Sequence, residues 1–412
     1  MKGLSTKILL LAMGLLLAAP FAAHAADPTQ EAILQQLKAL QQRVNELEGK
    51  LAAAHKTAQD AQKAAAEAYT TSGRSMKMSQ EVAKAKDEQP SGLLSEAGKR
   101  LKIYGAVELE GSYMKTKPSQ GPSFSDSDFS LATAEIFFEA AINKYTRGLL
   151  HLLYEQGGTD PINVDEAFIL IGQTDDVPFY FLGGLMYPAI GLFETYMVSD
   201  PITQNVFETQ AAAAEVGWAQ NWFNVGLGVY NSAVHTTGDE PDSNLNTFYV
   251  RAQFDAPEGA LGEQVDLNFG MAYTNNIAGG NLGDEVVDER VQDLVGGLSF
   301  MLNAQYKWLV FNAEYITALS EFEAGELAFT DSAAQPYAYN LELAFLPIED
   351  WTFAVRYAGS GDLGDWEPEQ QYGLGVSWDL LPDTTLSLEY LRGDFVNDDQ
   401  QDLVTTKLAI AF

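Results

Sequence analysis

From Leu101 to the end, apolar and polar residues alternate with a period of two over short runs, the spacing of strands whose two faces meet different surroundings. The last run, Asp402 to Phe412, puts Val404, Thr406, Leu408, Ile410 and Phe412 on one side and Thr405, Lys407, Ala409 and Ala411 on the other. Sixteen such segments start near 103, 130, 146, 164, 178, 210, 222, 245, 264, 291, 308, 336, 350, 370, 384 and 402. The connections are sorted by length. Those after odd segments are mostly long and polar, such as 116–129, 188–209, 233–244, 276–290, 320–335 and 360–369. Those after even segments are mostly tight, such as Asn143-Lys144-Tyr145, Ala219-Gln220-Asn221, Leu346 to Glu349 and Pro382-Asp383. A soluble sandwich has no reason to sort its loops in this way. A transmembrane β-barrel of about 16 antiparallel strands over residues 100–412 does, with both chain ends on the short-turn side.

The aromatic residues divide by height along the strands. Tyr113, Tyr154, Tyr187, Tyr230, Tyr273, Tyr315, Tyr357 and Tyr390 end odd strands, and Tyr337 and Tyr372 open even ones. Trp218, Trp222, Trp308, Trp351, Trp378, Phe254, Phe345 and Phe412 gather at the other end. Two belts flanking apolar strand centres are the expected anchors at the two membrane interfaces. With the greasy face turned to lipid, the register sends Glu108, Glu110, Glu135, Glu139, His151, Glu155, Glu166, Glu215, Asp266, Glu314, Glu342, Asp379 and Glu389 inward, with Lys102, Arg251, Arg356 and Lys407 as the inward bases.

Upstream the periodicity changes. Residues 1–25 have the form of a signal peptide: Lys2 and Lys7, an apolar run from Ile8 to Ala19, then Ala23-His24-Ala25. Residues 26–99 form a second region, a coiled coil and linker. Ile33, Leu37, Leu40, Val44, Leu47 and Leu51, followed by Ala54, Ala58, Ala61, Ala65 and Ala68, repeat at steps of four and three. The seam predicts self-association, with a trimer satisfying both a coiled coil and a barrel wall; an amphipathic helix lying on the barrel or membrane is the other reading. Gln89-Pro90-Ser91-Gly92 ends the helix. This order of segments puts the coiled coil in the periplasm and the barrel in the outer membrane.

Charge and composition then narrow the function. Residues 101–412 carry 47 acidic and 11 basic side chains, a net of −36, which excludes a nucleic-acid binder. Such acidity suits a cation-favouring pore field, and equally suits loops that meet lipopolysaccharide through divalent cations. No cofactor is expected, and the chain has no cysteine for a disulfide framework. Catalysis is not expected either: His151 points into the lumen, and the alternation places no Ser or Asp beside it. The longest connection, Pro188 to Thr209, is too apolar for an exposed loop, because Ile190, Leu192, Phe193, Tyr196, Met197, Val198, Ile202 and Phe207 all ask for burial. Folded into the barrel it would bring Glu194, Asp200 and Glu208 toward the channel, with Arg251 and Arg356 on the wall. Glu314 and Glu342 complete the candidate set. Opposed charges at a constriction create a transverse field. The alternative packs this loop over the rim or against a second subunit.

The string GLFETYMVSDPITQ, preceded by FLGGLMYPA, and the opening strand RLKIYGAVELEGSY resemble the LbtU-type siderophore porins. The resemblance implies passive uptake of a ferric siderophore, as in legiobactin uptake, through a barrel with no plug domain. The acidity sits uneasily with anionic ferric complexes, so local bases such as Arg251 and Arg356, or divalent cations, would have to offset it. Two other functions fit the same residues: a general, cation-preferring diffusion porin, and an envelope tether acting through the coiled coil.

Overall fold

The computed structural model describes residues 100–156, 162–174, 176–220, 222–238, 245–256, 260–262, 264–348 and 350–412. The expected leader and heptad segment lie outside these residues. Among the described residues, sixteen strands close into one antiparallel barrel. They are β1 (Leu101–Lys117), β2 (Phe124–Asn143), β3 (Thr146–Glu155), β4 (Asn163–Thr174), β5 (Val177–Met186), β6 (Ala211–Gln220), β7 (Phe223–Tyr230) and β8 (Thr247–Asp255). The second half comprises β9 (Val265–Thr274), β10 (Gly297–Tyr306), β11 (Leu309–Ala318), β12 (Tyr337–Ile348), β13 (Trp351–Gly361), β14 (Gln370–Leu381), β15 (Thr384–Asp394) and β16 (Gln400–Ala411). Each strand pairs with the next. The ring closes where β1 meets β16 in a register running from Ala106 opposite Ala411 to Lys117 opposite Gln400. At the foot of that seam the Gly105 amide donates to the Phe412 carbonyl (2.9 Å) and the Phe412 amide donates back (3.0 Å). Closure leaves no edge strand with unpaired backbone groups, which is what allows a sheet to stand in hydrocarbon.

The alternation works as expected. Along β7, Phe223, Val225, Leu227 and Val229 are exposed on the outside, while Asn224, Gly226, Gly228 and Tyr230 are buried inside. Exposed apolar side chains recur around the ring, including Phe179, Phe181, Phe269, Leu341, Val355 and Leu374. At the short-turn end Trp351 stacks on Trp378 (5.5 Å between ring centres) and Trp308 meets Phe345 edge-on (4.9 Å). At the other end Tyr357 packs on Tyr372 (5.4 Å).

Three expectations need correction. The strand expected near 291 begins at Gly297, because the apolar residues before it turn inward as short 3-10 turns over Ile277–Gly279, Asn281–Glu285 and Val287–Glu289. A two-residue parallel pairing of 235–236 with 290–291 ties two of these connections together. Tyr187 and Tyr230 leave the rim belt: Tyr230 is fully buried inside, and Tyr187 bonds an inward aspartate. Finally, several of the long connections fold back into the barrel instead of standing in solvent, whereas the β1–β2 connection is exposed. Val234, Ile277, Leu282, Val286, Val291, Val295, Phe322 and Leu363 fold inward around Phe193, Ile202, Val206 and Phe207, so the largest apolar cluster sits within the long-loop half of the lumen.

Leu227 lies mid-strand on the outward face. Leu227→Arg should therefore cost about 2–4 kcal/mol in urea unfolding from phospholipid vesicles. An unchanged midpoint would show that this face does not contact lipid.

Candidate functional site: the segment inside the barrel

The connection between β5 and β6 enters the lumen. It holds one short helix, α1 (Ile202–Phe207), with Ile202, Thr203, Val206 and Phe207 buried. Irregular backbone placed there must find partners for its amides. Inward carboxylates on later strands supply them. Glu314 on β11 accepts from the Leu192 amide (2.6 Å), the Phe193 amide (3.3 Å) and the Thr203 hydroxyl (2.6 Å). Glu342 on β12 accepts from the Tyr196 amide (2.5 Å) and the Thr195 hydroxyl (2.8 Å). Glu389 on β15 accepts from the Val198 amide (2.7 Å), the Ser199 amide (3.1 Å) and the Ser199 hydroxyl (2.5 Å). Arg356 on β13 faces the other way, donating to the carbonyls of Ser199 (3.0 Å) and Asp200 (3.1 Å) while its guanidinium pairs with Glu342 (3.2 Å).

The sequence-predicted residues thus separate into groups. Glu314, Glu342 and Arg356 hold the segment. Glu194 joins them from the segment side: its carboxylate accepts from Asn303 Nδ2 and its carbonyl from Asn312 Nδ2 (3.3 Å). Glu208 closes α1, its amide bonding the Gln204 carbonyl (3.0 Å) and its carboxylate accepting from Gln204 Nε2 (3.1 Å). Arg251 lies in a separate network on β5–β8. It forks onto Glu215 through Nε (2.9 Å) and an Nη (2.7 Å), while Tyr180 (2.6 Å) and Tyr249 (2.7 Å) donate to the same carboxylate. Glycines make room for those rings: a Cβ on Gly217 would stand 2.2 Å from the Tyr180 hydroxyl oxygen, and one on Gly228 2.3 Å from the Tyr249 ring. A buried guanidinium paired bidentately with a carboxylate is a wall fixture.

Asp200 is exposed. It is near enough to feel the charges of Lys407, Arg356, Glu108, Glu389 and Glu110, of which Glu108, Glu110 and Lys407 lie on β1 and β16. Lys407 pairs with Glu108 at 3.2 Å. The segment is bonded to β10–β13 and β15, and the acids and lysine that Asp200 senses lie on β1 and β16, the strands next to β15. The sequence had marked Glu108, Glu110 and Lys407 as inward without linking them to the narrowing, because parity gives a residue's face but not which strand lies opposite.

A further inward cluster sits on β2–β4. His151 Nε2 lies 2.9 Å from Glu135 and Nδ1 lies 2.8 Å from Asp165. The sequence could place no Asp beside His151; the structure does, and the reason is a β-bulge. His151 pairs with Glu166 and Leu152 with Val164, which leaves Asp165 as the extra residue. Both Asp165 and Glu166 are consequently buried on the inner face. Tyr187 and Gln210, at the two ends of the inserted segment, both bond Asp165 Oδ1 (2.7 and 3.0 Å). Burial and the Asp165 charge push the Tyr187 hydroxyl far above its ordinary range, so it stays a donor.

With this geometry in view, comparison with known proteins is informative at the level of fold. No family model matches the chain. A UPF0422 protein of Coxiella burnetii is 26% identical over 304 residues, covering 71% of this chain and 63% of that one. A UPF0422 protein of Legionella pneumophila strain Lens is 24% identical over 298 residues, covering 64% and 54%. The chain therefore spans between about half and two thirds of the length of these relatives. Among solved structures, the outer-membrane channel DcaP of Acinetobacter baumannii superposes with a TM-score of 0.53 at 12% identity, over 76% of this chain and 97% of that one. The fold is that of an outer-membrane porin. OprB of Pseudomonas putida (TM-score 0.52, 9% identity, 76% and 95% coverage) agrees. So does an anion-selective porin from Comamonas acidovorans (TM-score 0.52, 12% identity, 76% and 99% coverage).

Two outcomes follow for this porin-fold barrel. Glu314→Ala leaves three buried donors without their acceptor and should lower stability by about 3–5 kcal/mol in urea unfolding. Glu367, in the β13–β14 connection, accepts from Asn205 Nδ2 of α1 (3.0 Å). Burial pushes its carboxyl up to about 7, against a usual 4.5. The folded state then holds a proton that the unfolded chain has lost, so this stability is lost as pH rises from about 4.5 through about 7. Melting curves should place Glu367→Gln level with the parent near pH 4.5 and above it at pH 8.

Proposed function

We propose that this chain is a passive porin of the bacterial outer membrane, through which small solutes cross in a passage left between the inserted segment and the β1/β16 wall. The observation that carries the reading is the arrangement at Asp200. The segment is bonded to β10–β13 and β15, and its exposed carboxylate stands within electrostatic reach of Glu108, Glu110 and Lys407 on the neighbouring β1 and β16. Four acids (Asp200, Glu108, Glu110 and Glu389) against two bases (Lys407 and Arg356), inside a barrel domain of net charge −36, favour cations. The pinned acids contribute less to that preference, since their lone pairs are turned to backbone amides. Glu194, Arg251, Arg356, Glu314 and Glu342 then shape the passage, while Asp200 and its neighbours on β1 and β16 set its field. No catalytic step or cofactor belongs to this reading. Acidic outer loops would meet lipopolysaccharide through divalent cations.

A narrower reading takes the solute to be a ferric siderophore. It is favoured by one observation: the string that resembles the LbtU-type porins, GLFETYMVSDPITQ, lies in the segment whose backbone the inward carboxylates hold. Assembly as a trimer and envelope anchoring both rest on the heptads of residues 26–99. Mass in mild detergent with and without residues 30–70 tests the first, and deletion of those residues should leave conductance intact.

Planar-bilayer recordings test the main proposal. The protein should give steady ohmic channels with cations preferred over anions. Asp200→Asn combined with Glu110→Gln should reduce the permeability ratio several-fold without closing the channel. Absence of conductance, or a ratio indifferent to these changes, would defeat it. Saturable block by a ferric siderophore would support the narrower reading, and its absence would leave a general diffusion porin.

A further inference from the structure

The cluster at the β-bulge does something the transport reading does not use. We propose that His151, Asp165 and Glu166 form a binding site for one divalent metal ion of borderline softness, such as Zn²⁺ or Co²⁺, on the inner wall of the barrel.

Among the described residues, this trio is the group whose donor atoms converge: one His nitrogen and two carboxylate oxygens lie within 4.8 Å of one another. The atoms are aimed by their neighbours. The His151 ring is stacked on Phe137 (3.8 Å between centres, 12° between planes), which is itself stacked on Tyr104 (4.8 Å). Its Nε2 is engaged by the Glu135 carboxylate at 2.9 Å. A carboxylate on the far nitrogen is the usual outer partner of a metal-binding imidazole, and it fixes the tautomer that presents the other nitrogen to the ion. That other nitrogen, Nδ1, faces Asp165 Oδ2 at 2.8 Å. Asp165 is oriented in the same way: Oδ1 accepts from Tyr187 and from Gln210, and Oδ2 is turned to His151. The bulge supplies the third donor, because only with an extra residue in β4 do consecutive carboxylates reach the same face. All three ligands are buried.

The donor set selects the class of ion. One imidazole nitrogen with two carboxylates suits Zn²⁺, Co²⁺ and their neighbours, whereas Ca²⁺ and Mg²⁺ favour oxygen alone and soft ions favour thiolates. Two anionic ligands and a neutral imidazole balance a dication. The ion would also act as a structural pin, since Tyr187 and Gln210 lead into and out of the inserted segment and both hold Asp165. This proposal stands apart from the nature of the transported solute.

The test uses the full chain folded in detergent micelles, titrated calorimetrically with Zn²⁺ alone, with Co²⁺ absorption as a second readout. One ion per barrel should bind with saturation and raise the melting temperature, and Co²⁺ should show a nitrogen-ligated spectrum. His151→Ala and Asp165→Asn should each weaken binding at least tenfold, Glu135→Gln by about tenfold, and His235→Ala not at all. Heat-modifiable gel mobility checks that each variant is a closed barrel. If His151→Ala does not close, the decision rests on Asp165→Asn and the Co²⁺ spectrum of the parent. No saturable binding, or binding that Asp165→Asn and His151→Ala leave unchanged, overturns the proposal.

Discussion

A stretch of irregular chain inside a barrel brings amides that water no longer satisfies, and the interior of this molecule is organised around that constraint. Glu314, Glu342 and Glu389 each receive two or three donors from the inserted segment. A carboxylate is well suited to the task, because it has only acceptors and can serve adjacent N–H groups at once. Arg356 completes the set by taking carbonyls. Without these partners the apolar side chains of the segment would still seek cover, but nothing would fix where the backbone lies.

Much of the fold was legible because strand parity is strict. The greasy side of β7 or β16 can only be outside, and every inward acid named from the alternation was named for that reason. Loop sorting gave the barrel its direction. Parity failed where the backbone broke its own period. Asp165-Glu166 puts adjacent acids in a strand, and strict alternation would send one of them toward lipid at a cost of several kcal/mol. That conflict was itself a signal for a bulge, and it would have brought Asp165 to His151. The strand start near 291 failed differently: valines there read as strand, but they serve an apolar cluster in the lumen.

The candidate site was partly legible for the same reasons. The apolar content of residues 188–209 marked that connection as buried, since Ile202, Phe207 and their neighbours have no place in solvent. What each wall charge would do was not legible. Arg251 and Arg356 look alike in sequence, each an inward base in mid-strand. One is paired to Glu215 beneath two tyrosines, and the other grips the segment. Such distinctions depend on what lies across the lumen, and no local pattern carries that.

The partners of the inserted segment come late in the chain. Leu192 is 122 residues from Glu314, Thr195 is 147 from Glu342, and Val198 is 191 from Glu389. Contacts of such long sequence separation form slowly, after the intervening chain is in place. The segment therefore cannot settle until β15 has joined the growing sheet, and its leucine, phenylalanines and isoleucines are uncovered in the meantime. Assembly of this barrel ends with an interior event as well as with the β1–β16 seam, and a chain cut short before Glu389 would leave its centre loose.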